Sequence, residues 1–280
     1  MKLLLSKINF IIKRRFDSLL DYFSVAFIED SESFFSDQNL RYSQFGLDRR
    51  AGLTKLNEVL VSFGLEEYDE RNGMYSEHMV LFAALSVSKT SLPLSILEIG
   101  TWNGSFTKIL SGLFPGSDIL TIDLPAQDHD FVSSYGRTAN LDKFLALRAE
   151  NLTNLNNVKF VEMNSMMLSI EVGRKFDLVW VDGAHGYPTV ACDIANTVRL
   201  LNENGICLVD DVWDNLSFND KMYKSIGAFE TLWALSDAGL IDKPRLFLKR
   251  LSPVKNIKRH QKFVAGFTKI RSLTSPLENS

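Results

Sequence analysis

From Leu94 onward, short apolar runs alternate with stretches of helical periodicity, and no other feature constrains the fold as strongly. Apolar runs separated by crossover helices build βαβ units and a parallel sheet. The runs place strands at Ser95 to Ile99, Ile119 to Ile122, Val158 to Glu162, Leu178 to Val181 and Ile206 to Val209. Helices fall at Gly104 to Leu113, Leu141 to Leu152, Pro188 to Leu201 and around Ile226 to Ala238. RLFLKRL and KFVAGFTKI, near the C-terminal end, read as a closing antiparallel strand pair. The expected fold is α/β: a doubly wound, Rossmann-like, mostly parallel seven-stranded sheet with an N-terminal helical extension.

The extension begins with Leu4, Ile8, Ile11, Ile12, Leu19 and Phe23 at helical spacing, with Lys7, Lys13, Arg14 and Arg15 between them. Such a basic amphipathic helix lies on a membrane surface, or packs against its own domain or a second subunit as apolar stripes more commonly do. The basic residues interrupt the apolar run that a signal peptide needs, so the segment reads as retained. Residues 29 to 50 read as a polar connection, and a second helical stretch begins near Leu53. Ser76 to Val87 reads as a helix with Ser76 as its N-cap. The expected division is an extension over 1–74, an α/β domain over 75–271 and a tail over 272–280.

At 280 residues the chain has room for one large domain and an appendage. With 45% hydrophobic and 23% charged residues it is packed rather than disordered. Its net charge of -3 provides no electrostatic reason to expect nucleic acid as a partner. Cys192 and Cys207 lie in apolar stretches without metal-type spacing and read as free buried thiols, which suits a cytoplasmic protein, peripheral to the membrane if the first helix binds there. No apolar run is long enough for a transmembrane helix.

The first strand runs into ILEIGTWNGSFTKIL, which puts Glu98, Gly100, Thr101, Asn103 and Gly104 across a strand-to-helix turn. Glycines there let a ligand approach the backbone, and the helix offers free N–H groups to an anion. In open α/β sheets the ligand crevice lies at the carboxyl ends of the strands. Alone, the two glycines equally permit a tight turn with no ligand. Asp123 follows 23 residues beyond Gly100 at the end of LTIDLP, where a carboxylate accepts ribose hydroxyls. Asn164 and Ser165 end the next strand, a pair that in isolation is commonly just a turn.

The spacing E-x-G-x-x-x-G resembles motif I of the class I S-adenosylmethionine (SAM) dependent methyltransferases and departs from the G-x-G-x-x-G of dinucleotide binders. The resemblance runs in order from Leu94 to Trp213. It implies SAM in the crevice, contacted by the turn residues, by Asp123 at the ribose, by Asn164 and Ser165 at the adenine with Met163 and Met166 as apolar cover, and by Asp182.

Asp182 ends the fourth strand, and Asp210 and Asp211 end the fifth. Three carboxylates at adjacent strand ends repel unless a cation joins them or some are protonated, and Mg²⁺ prefers such oxygen ligands. The placement resembles the metal-dependent O-methyltransferases of the catechol, caffeoyl-CoA and macrolide-sugar types, which implies Asp182, Asp210 and Asp211 as ligands of Mg²⁺ or another divalent cation. The plainer alternative is that Asp182 orders the cofactor turn while the Asp pair caps a turn. His185 stands three residues after Asp182, where the catechol type has a catalytic lysine, so His185, with Asp182, is the catalytic candidate. Ala184 stands where the sugar-modifying type has an acid. DGxHxY also resembles a broad methyltransferase group.

The long segment after Asp123, with Asp128, His129, Asp130, Tyr135 and Arg137, reads as a lid or a solvated loop. The basic stretch Lys243 to Arg271 meets an anionic ligand or lipid headgroups, or forms a charged strand edge. The expected function is methyl transfer from SAM to an oxygen of a small molecule, a saccharide hydroxyl included, by a chain free to form a homo-oligomer. The alternatives are a nicotinamide-dependent oxidoreductase and a non-catalytic scaffold with a methyltransferase fold.

Overall fold

Seven strands pair in the order β3-β2-β1-β4-β5-β7-β6 in the computed structural model, which describes residues 31–69, 75–88, 94–168, 172–214, 225–251 and 262–270. The first five are β1 (Ser95–Ile99), β2 (Asp118–Asp123), β3 (Val158–Glu162), β4 (Phe176–Val181) and β5 (Leu201–Val212), and they run parallel. β6 (Arg245–Leu248) and β7 (Phe263–Thr268) are antiparallel to one another, and β7 is antiparallel to β5. The expected closing pair is thus present, with β7 inserted between β5 and β6. The order reverses at β1 and β4, which puts the ligand crevice beyond their carboxyl ends.

Both faces of the sheet are covered, as the unbroken apolar runs require. Alternating side chains separate the two cores. Leu97, Ile99, Val179, Val181, Cys207 and Val209 face helices α7 (Thr189–Leu200) and α8 (Gly227–Asp237). Ile96, Leu178, Trp180 and Leu208 face α2 (Arg49–Ser62), α3 (Glu77–Ser88) and α4 (Ser105–Leu113). α3 has nine buried residues from Glu77 to Leu85 and shows no amphipathic stripe because protein surrounds it. Ser76 precedes it, and its hydroxyl bonds the His78 ring.

Residues 31–44 depart from the expected polar connection: α1 (Ser31–Gln44) is helical. Its polar composition hides the reason, which is tertiary. Gln38 is fully buried and its amide pairs with β6 on both sides, donating to the Leu248 carbonyl at 3.1 Å and accepting from the Leu248 N–H at 3.0 Å. Arg41 donates to the Leu246 carbonyl. Helix α1 therefore satisfies the backbone of an edge strand that would otherwise be open. Buried Glu77 then joins the helices, accepting from Tyr42 at 2.9 Å and from Arg49 at 2.5 Å.

The segment after Asp123 forms α5 (His129–Ser133), capped by Asp128, then a 3-10 turn over Ser134–Ala139 and helix α6 (Leu141–Leu152). Both cysteines are free, Cys207 buried and Cys192 partly exposed. Among the described residues no helix is long and apolar enough to cross a membrane. The expected amphipathic helix of residues 1–23 and the tail of 272–280 lie outside the described residues.

Candidate active site

The turn from β1 to α4 is held open by its glycines. Gly100 has φ +102, and a Cβ there would fall 2.2 Å from the Asp182 carbonyl oxygen, so only glycine lets the β1 and β4 ends lie side by side. Gly104 caps α4 at φ 75 in the left-handed region. The Asn103 side chain accepts from the Ser105 N–H at 3.0 Å, and Asn151 donates to the Asn103 carbonyl at 2.9 Å. Glu98 and Thr101 point inward. Glu98 is buried, and its Oε2 accepts the Thr107 and Thr121 hydroxyls at 2.5 Å each. Burial pushes its carboxyl up to about 7. Thr101 bonds Thr121 at 2.6 Å. Both therefore organise the turn from behind.

Asp123 ends β2 facing this turn. Its Oδ2 accepts the Trp102 N–H at 2.8 Å, which ties it to the glycine loop, and its Oδ1 accepts the Leu124 N–H at 2.9 Å. At the end of β3, Asn164 Oδ1 accepts the Met166 N–H at 3.0 Å and opens a 3-10 turn over Ser165–Met167, with Met166 exposed. The Met163 N–H donates to the Asp123 carbonyl at 2.8 Å, so the second and third expected cofactor elements adjoin. In the segment after Asp123, Arg137 is buried over the rings of Phe131 and Phe144, while His129 and Asp130 are exposed.

Asp182, His185, Asp210 and Asp211 converge at the ends of β4 and β5. Asp182, His185 and Asp210 each place a ligand-type atom within 4.8 Å of the others. His185 Nε2 lies 3.7 Å from Asp182 and 3.9 Å from Asp211. Neighbours in a regular strand point to opposite faces. Asp210 and Asp211 escape that rule because the β5–β7 register shifts between Val209 and Val212, and Asp211 takes φ 51.

The sequence reading missed two residues, Lys249 and Lys262, although it noted the basic stretch that contains them. Lys249 Nζ donates to Asp210, and to Asp211 at 2.5 Å; Lys262 Nζ donates to Asp211 at 2.7 Å. Lys249 follows β6 and Lys262 precedes β7, so the antiparallel return brings both to the end of β5. The signal was present in the expected strand pair, whose ends at RLFLKRL and KFVAGFTKI carry these lysines.

Charge in this cluster is shared unevenly. Burial and the neighbouring Asp210 hold the Asp182 carboxyl well above its usual range. Burial alone would raise Asp210 and Asp211 too, but Lys249 keeps both low, with Lys262 adding to the effect at Asp211. The Asp210 and Asp211 carboxylates thus face two ammonium groups, with the raised Asp182 carboxyl beside them. Burial lowers His185, which leaves it neutral and able to accept a proton. His78, stacked on Trp180 at 5.2 Å, is lowered to about 3 by burial and stays neutral.

A family described as a methyltransferase domain matches residues 97–212. No curated protein matches the chain significantly. Among solved structures, the O-methyltransferase TomG from Streptomyces achromogenes, in complex with SAM, is 15% identical, with 86% of this chain and 99% of TomG covered and a TM-score of 0.47. An O-methyltransferase from Bacillus cereus, in complex with SAH, is 15% identical over 78% of this chain and 91% of its own, TM-score 0.47. The N-methyltransferase NodS from Bradyrhizobium japonicum WM9 is 15% identical over 69% and 94%, TM-score 0.46. Residues 97–212, which run from β1 to the end of β5 of the doubly wound sheet, are therefore similar to a methyltransferase domain.

Proposed function

We propose that this chain transfers the methyl group of SAM to a hydroxyl oxygen of a small-molecule acceptor, a saccharide hydroxyl included, with a divalent cation such as Mg²⁺ assisting. The observation that carries this reading is the contact of two half-sites. The Gly100 turn abuts the Asp182 backbone, so a cofactor in the β1–β2 crevice would place its reactive end beside His185 and Asp210.

In this reading the N–H groups at the start of α4 meet the amino-acid carboxylate, Asp123 accepts the ribose hydroxyls, and Asn164 and Ser165 border the adenine. Glu98, Gly100, Thr101, Asn103 and Gly104 shape that pocket. The sulfonium is already electrophilic, which leaves the protein to align the acceptor oxygen and remove its proton. His185 is suited to take that proton because burial keeps it neutral.

The residues present fit a cation: Asp210 Oδ1 is buried without a hydrogen-bond partner, and Asp182 and His185 complete a compact donor set with it. Asp182 and Asp210 would hold the ion, with His185 within reach, while Asp211 is occupied by the lysines. When bound there, a divalent cation supplies positive charge to the acceptor oxygen and lowers its pKa.

A second reading is favoured by Lys249, whose ammonium already occupies Asp210 Oδ2 and Asp211: the cluster's positive charge is then its own, and transfer needs no metal. One experiment separates these readings. SAM or its demethylated product is expected to bind and raise the melting temperature, and Asp123→Ala to weaken that binding. Chelation is expected to abolish turnover but not SAM binding, and His185→Ala to slow turnover without loss of metal. Turnover unaffected by exhaustive chelation selects the lysine reading; failure of SAM to bind sinks both.

A further inference from the structure

Behind Asp123 lies an arginine that the catalytic reading does not use. Arg148, on α6, is 5% exposed, and its Nη1 is buried without a hydrogen-bond partner. That atom lies 4.0 Å from Asp123 Oδ2, while Nη2 is 3.5 Å from Glu162. The guanidinium sits over the Phe160 ring at 4.6 Å and the Phe131 ring at 5.2 Å, so aromatic faces fix its plane. A buried guanidinium with a spare donor is costly unless a carboxylate compensates it. Asp123 is the carboxylate toward which the spare donor points.

We infer that Arg148 is a positioning residue for cofactor binding, holding Asp123 ionised and oriented so that it accepts the ribose hydroxyls. The inference rests on the reading of Asp123 as the ribose acceptor. An ionised carboxylate accepts two hydroxyl protons, whereas a protonated one has given up part of that capacity. Burial pushes Asp123 toward the protonated form, while the Trp102 and Leu124 N–H groups, Arg137 and Arg148 oppose it. Six groups bear on this carboxyl through charge or hydrogen bonds: the Leu124 N–H beside it, the Trp102 N–H from the β1–α4 turn, Glu98 from β1, Arg137 from the 3-10 turn, Arg148 from α6, and Glu162 at the end of β3, which shares Arg148. Arg137 is already committed, donating to the Phe131 carbonyl at 2.9 Å and to Ser134 at 3.1 Å. Arg148 Nη1, buried without a hydrogen-bond partner, is the guanidinium nitrogen that lies 4.0 Å from Asp123 Oδ2.

The sign follows directly. Removing Arg148 raises the pH at which Asp123 gains its proton, so cofactor affinity starts to fall at higher pH on acidification. The test is calorimetric titration of the full chain with S-adenosylhomocysteine from about pH 5 to about pH 9. R148Q is expected to weaken binding about tenfold near neutrality and to move the acid limb upward by about one pH unit. R148K, which keeps the charge, is expected to hold the acid limb near its wild-type position. A purely structural role predicts the opposite pattern: lower stability in both variants with the acid limb unmoved. Should R148Q not fold, E162Q at a partly exposed position asks the same question: releasing Arg148 from Glu162 is expected to let binding persist to lower pH. Superimposable profiles of wild type and R148Q, or of wild type and E162Q, overturn the proposal. A wild type that binds no S-adenosylhomocysteine at any pH overturns the cofactor reading itself.

Discussion

Asp193 on α7 shows how much one buried acid weighs in this chain. It is fully buried beneath the β4 end, and burial raises its carboxyl from 3.8 to about 6, with Ser165 acting in the lowering direction. The folded state therefore keeps a proton that the unfolded chain has already lost. Stability contributed by the protonated form is complete below 3.8, declines as the pH rises to about 6 and stays lost above it. Asp193→Asn, neutral at every pH, should stabilise the protein near pH 7 by up to about 3 kcal/mol and make little difference near pH 4. Thermal melts of both proteins at the two pH values check this, and equal gains at both would refute the linkage. The same burial argument explains why Glu98 supports the β1–α4 turn from behind: a carboxyl pushed up to about 7 that accepts two hydroxyls is a scaffold for the loop. Its place in the E-x-G pattern was legible in the sequence, but the direction of its side chain was not.

Among the elements, β1, β2, β4 and β5 were legible because each carries an apolar run buried on both faces, and β3, partly buried at the sheet edge, matches its expected limits at Val158 and Glu162. Helix α1 was not, because its residues become helical through Gln38 and Arg41 pairing with β6, some 210 residues away for Gln38. A polar segment with no apolar stripe carries no local signal of such pairing. Gln38→Ala should leave both buried polar groups of Leu248 without partners and cost about 1 to 3 kcal/mol, read as a lower urea midpoint with an unchanged slope. An unchanged midpoint would show that α1 does not secure the sheet edge. The same edge carries Lys249, whose carbonyl accepts the Glu77 N–H at 3.1 Å. The N-terminal helices thereby help place a charged group of the candidate site without touching its carboxylates.

At the scale of the molecule, the site is a charge balance assembled from four strands: Asp182 after β4, Asp210 and Asp211 at the end of β5, Lys249 after β6 and Lys262 before β7. Replacing Lys249 by Met leaves two buried carboxylates short of a cation, which should destabilise the protein by about 3 to 5 kcal/mol. Added Mg²⁺ should then restore part of the melting temperature, more than it raises that of the wild type. A variant as stable as the wild type, or one indifferent to Mg²⁺, would contradict this balance. The sequence by itself determined the sheet, the glycine turn after β1 and the acidic strand ends, because periodicity, glycine placement and residue order are local properties. Only the tertiary structure decided which way Asp211 turns and which cations face the acids. Those depend on a register shift in β5 and on a strand inserted between β5 and β6, and pairing between distant segments leaves no periodic trace in any one of them.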